Sequence, residues 1–233
     1  MKNTLLTGCL LFCFTSIYSQ STEVTLNLNS GLFSFAGESA SSTSWINLVS
    51  QEGGYTNNPY GSQGALSYGL SASLTQVYRS NFLAGFDLGY ELLRSEVEIS
   101  SVVASSNVNT SLFADGQTYL RSSFINLFPR IGYRLSLAET SIDISGGIDI
   151  AYCISAQEKG SAEAGTREYF TERSRKTINT DIRPRVQANV SKGKYGVYAG
   201  YSSGIRNYRS GFDGGTNEAY SRMVRFGLTF RLH

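Results

Sequence analysis

The stretch Ser141-Ile-Asp-Ile-Ser-Gly-Gly-Ile-Asp-Ile-Ala-Tyr-Cys-Ile-Ser155 decides how the rest of the chain is read. Ile142, Ile144, Gly146, Ile148, Ile150, Tyr152 and Ile154 fall on one parity. Ser141, Asp143, Ser145, Gly147, Asp149, Ala151, Cys153 and Ser155 fall on the other. A period of two is strand geometry, because successive side chains leave a strand on opposite faces, whereas a helix repeats every 3.6 residues. One face is almost wholly apolar and the other holds two carboxylates, so this strand divides two different media.

Seven more segments share the pattern, and the apolar parity of each can be followed. Segment 23–36 carries Val24, Leu26, Leu28 and Leu32; 64–78 carries Leu66, Tyr68, Leu70, Leu74 and Tyr78; 82–94 carries Phe82, Ala84, Phe86, Leu88, Tyr90 and Leu92. Segment 119–135 sets Ile125, Leu127, Pro129, Ile131, Tyr133 and Leu135 against Asn126, Arg130 and Arg134. Segment 177–190 sets Ile178, Ile182, Pro184, Val186 and Val190 against Asp181, Arg183 and Arg185. The last two are 195–208, with Tyr195, Val197, Ala199 and Tyr201, and 219–232, with Val224, Phe226, Leu228, Phe230 and Leu232. Proline cannot donate to a sheet ladder, so Pro129 and Pro184 are expected to mark local bulges or ladder breaks.

The connections alternate in length. Arg79–Asn81, Ser136–Thr140 and Ser191–Lys194 are short, whereas 37–63, 95–118 and 156–176 are long, and 209–218 is shorter and Gly-rich. Long structureless loops are uncommon in compact soluble domains. Short turns at one end and long loops at the other are the pattern of outer-membrane barrels.

Composition narrows the medium. The chain has 233 residues, 41% hydrophobic, 12% aromatic and 16% charged, with 24 Gly and 15 Tyr. Soluble chains average about 25% charge. Twenty Lys and Arg against 18 Asp and Glu give +2, which argues against a nucleic-acid binder. Aromatic and β-branched residues are too abundant for disorder. Nothing after residue 20 approaches the ~18–20 apolar residues of a membrane helix. Near the start, Lys2, an uncharged Leu- and Phe-rich run and Ile17-Tyr-Ser-Gln20 have the form of a secretory signal, cleaved after Ser19. That gives a signal peptide over 1–19 and one barrel domain over 20–233. Leu6-Thr-Gly-Cys9 resembles a lipoprotein box, but the apolar run upstream of it is too short. With Cys9 and Cys13 in the signal, only Cys153 remains, and it excludes an internal disulfide framework.

A soluble barrel, lipocalin-like, would turn its apolar face inward. The opposite assignment fits better. The polar parity is rich in Gly, Ala, Ser and Asn and carries Asp87, Glu91, Arg130, Arg134, Asp143, Asp149, Asp181, Arg183 and Arg185. Small residues and opposed charges suit a narrow lumen, while the bulky parity suits hydrocarbon. Aromatic residues sort to strand ends: Tyr78, Phe82, Tyr133, Tyr195 and Phe230 toward the short turns, Tyr68, Tyr90, Tyr119, Tyr152 and Tyr220 toward the long loops. Two such belts are expected at two membrane interfaces. In lipid an open sheet edge leaves costly unpaired backbone groups. The expected fold is therefore an all-β, eight-stranded, antiparallel up-and-down transmembrane barrel, whose interior at that strand number is filled by side chains.

Three strings carry a family resemblance: Phe124-Ile-Asn-Leu-Phe-Pro-Arg-Ile-Gly-Tyr-Arg-Leu135, the strand Ile142–Ile154, and Gly200-Tyr-Ser-Ser-Gly-Ile-Arg206 with the closing Arg225-Phe-Gly-Leu-Thr-Phe-Arg-Leu232. Together they resemble the PorT-like outer-membrane β-barrel domain family of Gram-negative bacteria, best over 120–232. The resemblance implies an eight-stranded barrel in the cell outer membrane and raises an accessory role in protein secretion. The family shares no single activity, so it assigns no functional residue. One departure is His233 at the end, where such chains often finish on an aromatic.

Catalytic chemistry has little material here. His233 is the only histidine, which argues against Ser-His-Asp sites and histidine metal clusters. Asp143 and Asp149 share a face, but a lumen position accounts for them without catalysis. Gly53-Gly54 and Gly211–Gly215 lack the strand–loop–helix context of a phosphate cradle and read as turns. In 156–176, Lys159, Arg167, Arg173, Arg175 and Lys176 nearly balance Glu158, Glu163, Glu168 and Glu172, which favours a solvated loop over an anion-binding patch. In 37–63, Trp45, Ile46, Leu48 and Val49 alternate imperfectly and favour a hairpin extension over a partner contact. The functional expectation is a non-enzymatic structural or interaction protein without cofactor or metal. Its partners would be outer-membrane lipid and an extracellular or envelope protein met through 37–63 and 156–176. A narrow solute or ion channel is the alternative.

Overall fold

Strand alternation sets the architecture. The fold, a computed structural model, describes residues 19–51, 53–105, 109–210 and 217–233. Cys9 and Cys13, the signal segment before Ser19, and Gly211–Gly215 lie outside the described residues. Eleven strands are present: β1 (Ser19–Ala36), β2 (Thr43–Leu48), β3 (Gly53–Thr56), β4 (Gln63–Tyr78), β5 (Phe82–Ser105), β6 (Asn109–Leu137), β7 (Thr140–Ala164), β8 (Arg167–Ser174), β9 (Thr180–Lys192), β10 (Tyr195–Ser203) and β11 (Tyr220–Arg231). The eight sequence segments fall on β1, β4, β5, β6, β7, β9, β10 and β11. The segment expected to reach 208 stops at Ser203.

The antiparallel pairings β1–β4–β5–β6–β7–β9–β10–β11 return to β1, so the sheet is ring-like. The bulky parity faces out. Leu26, Leu70, Leu88, Ile131, Ile144, Val186 and Leu228 are all exposed, while Asn27, Ser73, Asp87, Asp143 and Arg225 are buried. Pro129 interrupts the β6–β7 ladder between Leu127↔Ile150 and Arg130↔Gly147 without shifting its register. Pro184 stays in register opposite Ile148.

Tight turns join β4 to β5, β6 to β7 and β9 to β10. Each contains one left-handed residue, Asn81 at φ +63°, Ala138 at +52° and Gly193 at +59°. The first turn has three residues and the other two have two; two-residue hairpin turns favour glycine at the positive-φ position, and Ala138 occupies it with a side chain. Inside the ring, Gly227 lets Tyr198 lie across the β10–β11 pair, where an added Cβ would stand 2.5 Å from the Tyr198 ring. The Tyr198 hydroxyl then reaches Asn29 Oδ1 at 2.6 Å.

The long connections are not the loops the sequence suggested. β5, β6 and β7 run on beyond the ring, and β2, β3 and β8 complete a second, smaller cycle, β5–β6–β7–β8–β3–β2. In it, β2 lies parallel to β5 and β3 parallel to β8. Ile46, Ile99, Val102, Ala162, Ala164 and Tyr169 form its core. The sequence hid this because register slips break the period of two. At Ser123/Phe124 of β6, Ile154 of β7 is the extra residue. Inward residues change there from odd (Asp149, Ala151) to even (Ala156, Glu158, Ala162).

Candidate functional site

The nine charges singled out from the sequence all lie inside the ring, in three tiers. At the short-turn end, Arg134 donates to Asp143 (2.6 and 2.7 Å) and to Glu23 (2.6 and 2.8 Å), and Arg231 lies 3.4 Å from Glu23. In the middle, Arg130 reaches Asp87 at 3.1 Å and donates to Thr75 Oγ1 at 2.7 Å. Above it, Arg183 lies 3.2 Å from Asp149, 3.3 Å from Glu91 and 3.8 Å from Asp181. Arg225 pairs with Asp149 at 2.9 Å and with Glu91. Arg185 differs from the others. It packs over Phe128 at 4.3 Å and donates to Gln187 at 2.6 Å, and it forms no ion pair among the described residues.

Glu23, Arg225 and Arg231 belong to this network but were not picked out from the sequence. The signal was available for all three: Arg225 is on the parity opposite Val224 and Phe226, Arg231 is opposite Phe230 and Leu232, and Glu23 is opposite Val24. Phe124 and Phe128 also face inward, with Arg183 5.5 Å from the Phe124 ring. Two lumen cavities measure about 30 and 20 Å³, room for one or two waters.

An apolar cap covers the upper tier. Phe33, Phe35, Tyr60, Leu93, Leu120, Phe124, Tyr208 and Met223 form one buried cluster. The Phe35 ring meets Tyr60 at 5.1 Å and Tyr208 at 4.8 Å, both edge-on. The Tyr208 hydroxyl donates to Asp181 Oδ2 at 2.8 Å, and Ser221 donates to the same oxygen at 2.7 Å. Burial pushes the Tyr208 hydroxyl well above its ordinary range, and the Asp181 carboxylate beside it pushes the same way. Burial also raises Tyr60. The cap thus removes water from the ion pairs beneath it and strengthens them.

Within the second cycle, Glu158 of β7 ties β3 to the end of β8. Its buried carboxylate accepts from Thr56 N at 2.6 Å and pairs with Arg175, which also donates to the Thr56 carbonyl. This corrects the reading of 156–176 as a solvated loop: the slip at Ile154 turns Glu158 inward. Charge balance along the sequence does not survive folding either. Arg173, Arg175, Lys176 and Arg209 gather around a cleft of about 300 Å³ with Asn57, Asn58 and Tyr60, while Glu163 and Glu168 pair across the far end of the β7–β8 hairpin. Beyond the cleft, Trp45, Val49 and Phe113 are exposed, Phe113 at 95%.

The two aromatic groups are placed unequally. Tyr133 pairs with Phe82, and Tyr195 with Phe230 at 5.4 Å; Tyr78 lies 5.9 Å from Phe82. At the other end Tyr68, Tyr90 and Tyr152 are exposed and Tyr220 is half-buried. Tyr119 departs from the sequence expectation. It stands six residues past Ile125, the partner of both Tyr90 and Tyr152, with the Arg94 guanidinium 4.5 Å from its ring. Among the described residues no group of three or more His, Cys, Asp or Glu side chains is arranged to hold a metal ion.

No protein-family model matches the sequence, and no curated protein matches it. Solved structures with a similar course include Neisserial surface protein A, 11% identical over 91% of this chain and 99% of that one, TM-score 0.37. Ail, the attachment invasion locus protein of Yersinia pestis, in complex with the heparin analogue sucrose octasulfate, is 10% identical over 91% and 97%, TM-score 0.32. The translocator domain of the autotransporter NalP from Neisseria meningitidis is 8% identical over 99% and 96%, TM-score 0.27. These are distant likenesses.

Proposed function

We propose that this chain is an integral protein of a Gram-negative outer membrane, an eight-stranded up-and-down transmembrane barrel with a structural or interaction role and no enzymatic activity. The observation that carries the reading is the inversion of faces. Leucine, isoleucine and valine line the outside of the ring, while carboxylates and guanidinium groups fill its inside. Water would expel such a surface, and hydrocarbon accepts it. The short turns then face the periplasm and the second cycle stands outside the cell.

Ion pairs and cavities of only about 30 and 20 Å³ among the described lumen residues support a function on the outer surfaces over a channel. The second cycle has its own core and presents Trp45 and Phe113 beyond a cationic cleft, which suits contact with an extracellular or envelope protein. An accessory role in secretion, raised by the PorT-like resemblance, is one form of such contact. Gel mobility tests the barrel: a folded sample is expected to shift on boiling, and unchanged migration with solubility in detergent-free buffer refutes it. Planar bilayers test the plug. No steady conductance is expected from the wild type, and steady openings altered by Arg130→Ala or Arg183→Ala would establish the channel instead. Pull-down from surface-labelled cells with 37–63 or 156–176 deleted tests the contact surface, because a partner retained without both would place recognition elsewhere.

A further inference from the structure

Arg94 of β5 and Arg121 of β6 are directly opposite in register. Register partners in an antiparallel pair project from the same face about 5 Å apart, and like charges so placed repel. Both are half-buried on the outer face, and neither forms an ion pair among the described residues. Neither Nε finds an acceptor. Glu96, the carboxylate beside them, is in register with Tyr119 and engages the Tyr119 hydroxyl, and it forms an ion pair with neither arginine. Two facing guanidinium groups with no carboxylate bonded to either form a site that suits an anion.

Their height says which anion. Phe82 and Tyr133, partners in the lower aromatic belt, lie twelve residues from Arg94 and Arg121 along the same strands. At about 3.3 Å per residue and a tilt near 40°, that is roughly 30 Å along the membrane normal. The apolar band of such barrels is about 25 Å tall, so the pair sits at the headgroup level of the outer leaflet. A groove of about 670 Å³ opens directly above, with Tyr119, Gln117 and Lys159 on its wall beside Arg121, glycine backbone in its floor, and the register partners Asp115 and Glu163 at the end away from the arginines. Small residues and hydrogen-bonding side chains beside arginines suit a sugar that carries a phosphate.

We infer that Arg94 and Arg121 bind a phosphate of a phosphorylated glycolipid in the outer leaflet, with the sugar in the groove above. The inference rests on the proposed membrane orientation. The test uses the full chain refolded in neutral detergent, with bisphosphorylated lipid A as the probe and native mass spectrometry as the readout. Wild type is expected to bind lipid A at least tenfold tighter than R94Q/R121Q, since each charge-assisted hydrogen bond is worth about that factor. A lipid A analogue stripped of both phosphates should lose the same factor on wild type, and millimolar inorganic phosphate should leave most lipid A bound.

Arg121→Glu gives Arg94 a partner. It should fold at least as well as wild type, by the heat-induced gel shift, yet lose lipid A. Equal binding by wild type and the folded variants, or by the phosphate-free analogue, overturns the assignment. Full displacement by inorganic phosphate overturns the lipid and leaves a free-anion site. Failure of the gel shift in wild type itself would strike the barrel reading, a separate outcome.

Discussion

Arg225→Met removes one of two cations that hold Glu91 and Asp149 at the centre of the lumen. Arg225 is 1% exposed and bonds both carboxylates; without it Glu91, Asp149 and Asp181 share Arg183. Leaving a buried charge without its partner costs about 3–5 kcal/mol. For a chain of this size each kcal/mol moves the midpoint by about 2–4 °C, so a drop of roughly 6–20 °C is expected. The sign turns on the uncompensated charge, and a second substitution tests that. R225M/E91Q removes one charge of each sign and should recover more than half of the loss, because replacing a buried pair by neutral groups is often nearly neutral. Wild type, both single variants and the double variant are unfolded by urea in micelles, followed by circular dichroism and by the gel shift. A single variant within about 1 kcal/mol of wild type, or a double variant no better than R225M, would refute the idea that the tiers are held by charge pairing.

Three further outcomes follow from the cap, the turn and the tie. Tyr208→Phe deletes a hydrogen bond to a buried carboxylate and should cost about 1.5–3 kcal/mol. Folding keeps the Tyr208 proton that the unfolded chain releases near pH 10, so stability should fall above that pH by up to about 1.4 kcal/mol per unit; Tyr208→Phe should make the decline shallower, and an unchanged slope would exclude Tyr208 as its source. Ala138→Gly relieves a left-handed residue and should stabilise by about 1 kcal/mol in the same urea series. Glu158→Gln should expose 37–63 and 156–176 to limited proteolysis while the heat-induced gel shift persists; resistance equal to wild type would show that the second cycle does not depend on Glu158.

How much could be read from the chain differs between its two halves. Along Ile142–Tyr152 the medium on each side is set by water or lipid, so parity alone separates Asp149 from Ile150. The same rule holds for Arg225 between Val224 and Phe226. It fails beyond Ile154, where both faces of the sheet are polar or packed and a one-residue slip moves Glu158 inward at no hydrophobic penalty. Pairing of β2 with β5 and of β3 with β8 was invisible for another reason. These contacts are parallel, join remote segments and rest on a few residues such as Ile46 and Ile99, which carry no periodic signature. Tyr119 shares the outward parity of the belt residues, but β6 runs on and sets it six residues past Ile125.

The arrangement of the tiers also limits what the lumen can do. A conducting path would have to separate Arg225 and Arg183 from Glu91 and Asp149, and lift Tyr208 and Phe35 off Asp181. Separating two buried pairs before water reaches them costs about 6–10 kcal/mol, so the pairs hold the closed arrangement. A ligand that opened the pore would need that much preference for the open state. The lower tiers, Arg130 with Asp87 and Arg134 with Glu23 and Asp143, would still bar the way. Charge here fixes the cross-section of a narrow ring, and on the proposed orientation any recognition falls to the surfaces that the slips at Ile99/Ser101 and Ile154 carry beyond it.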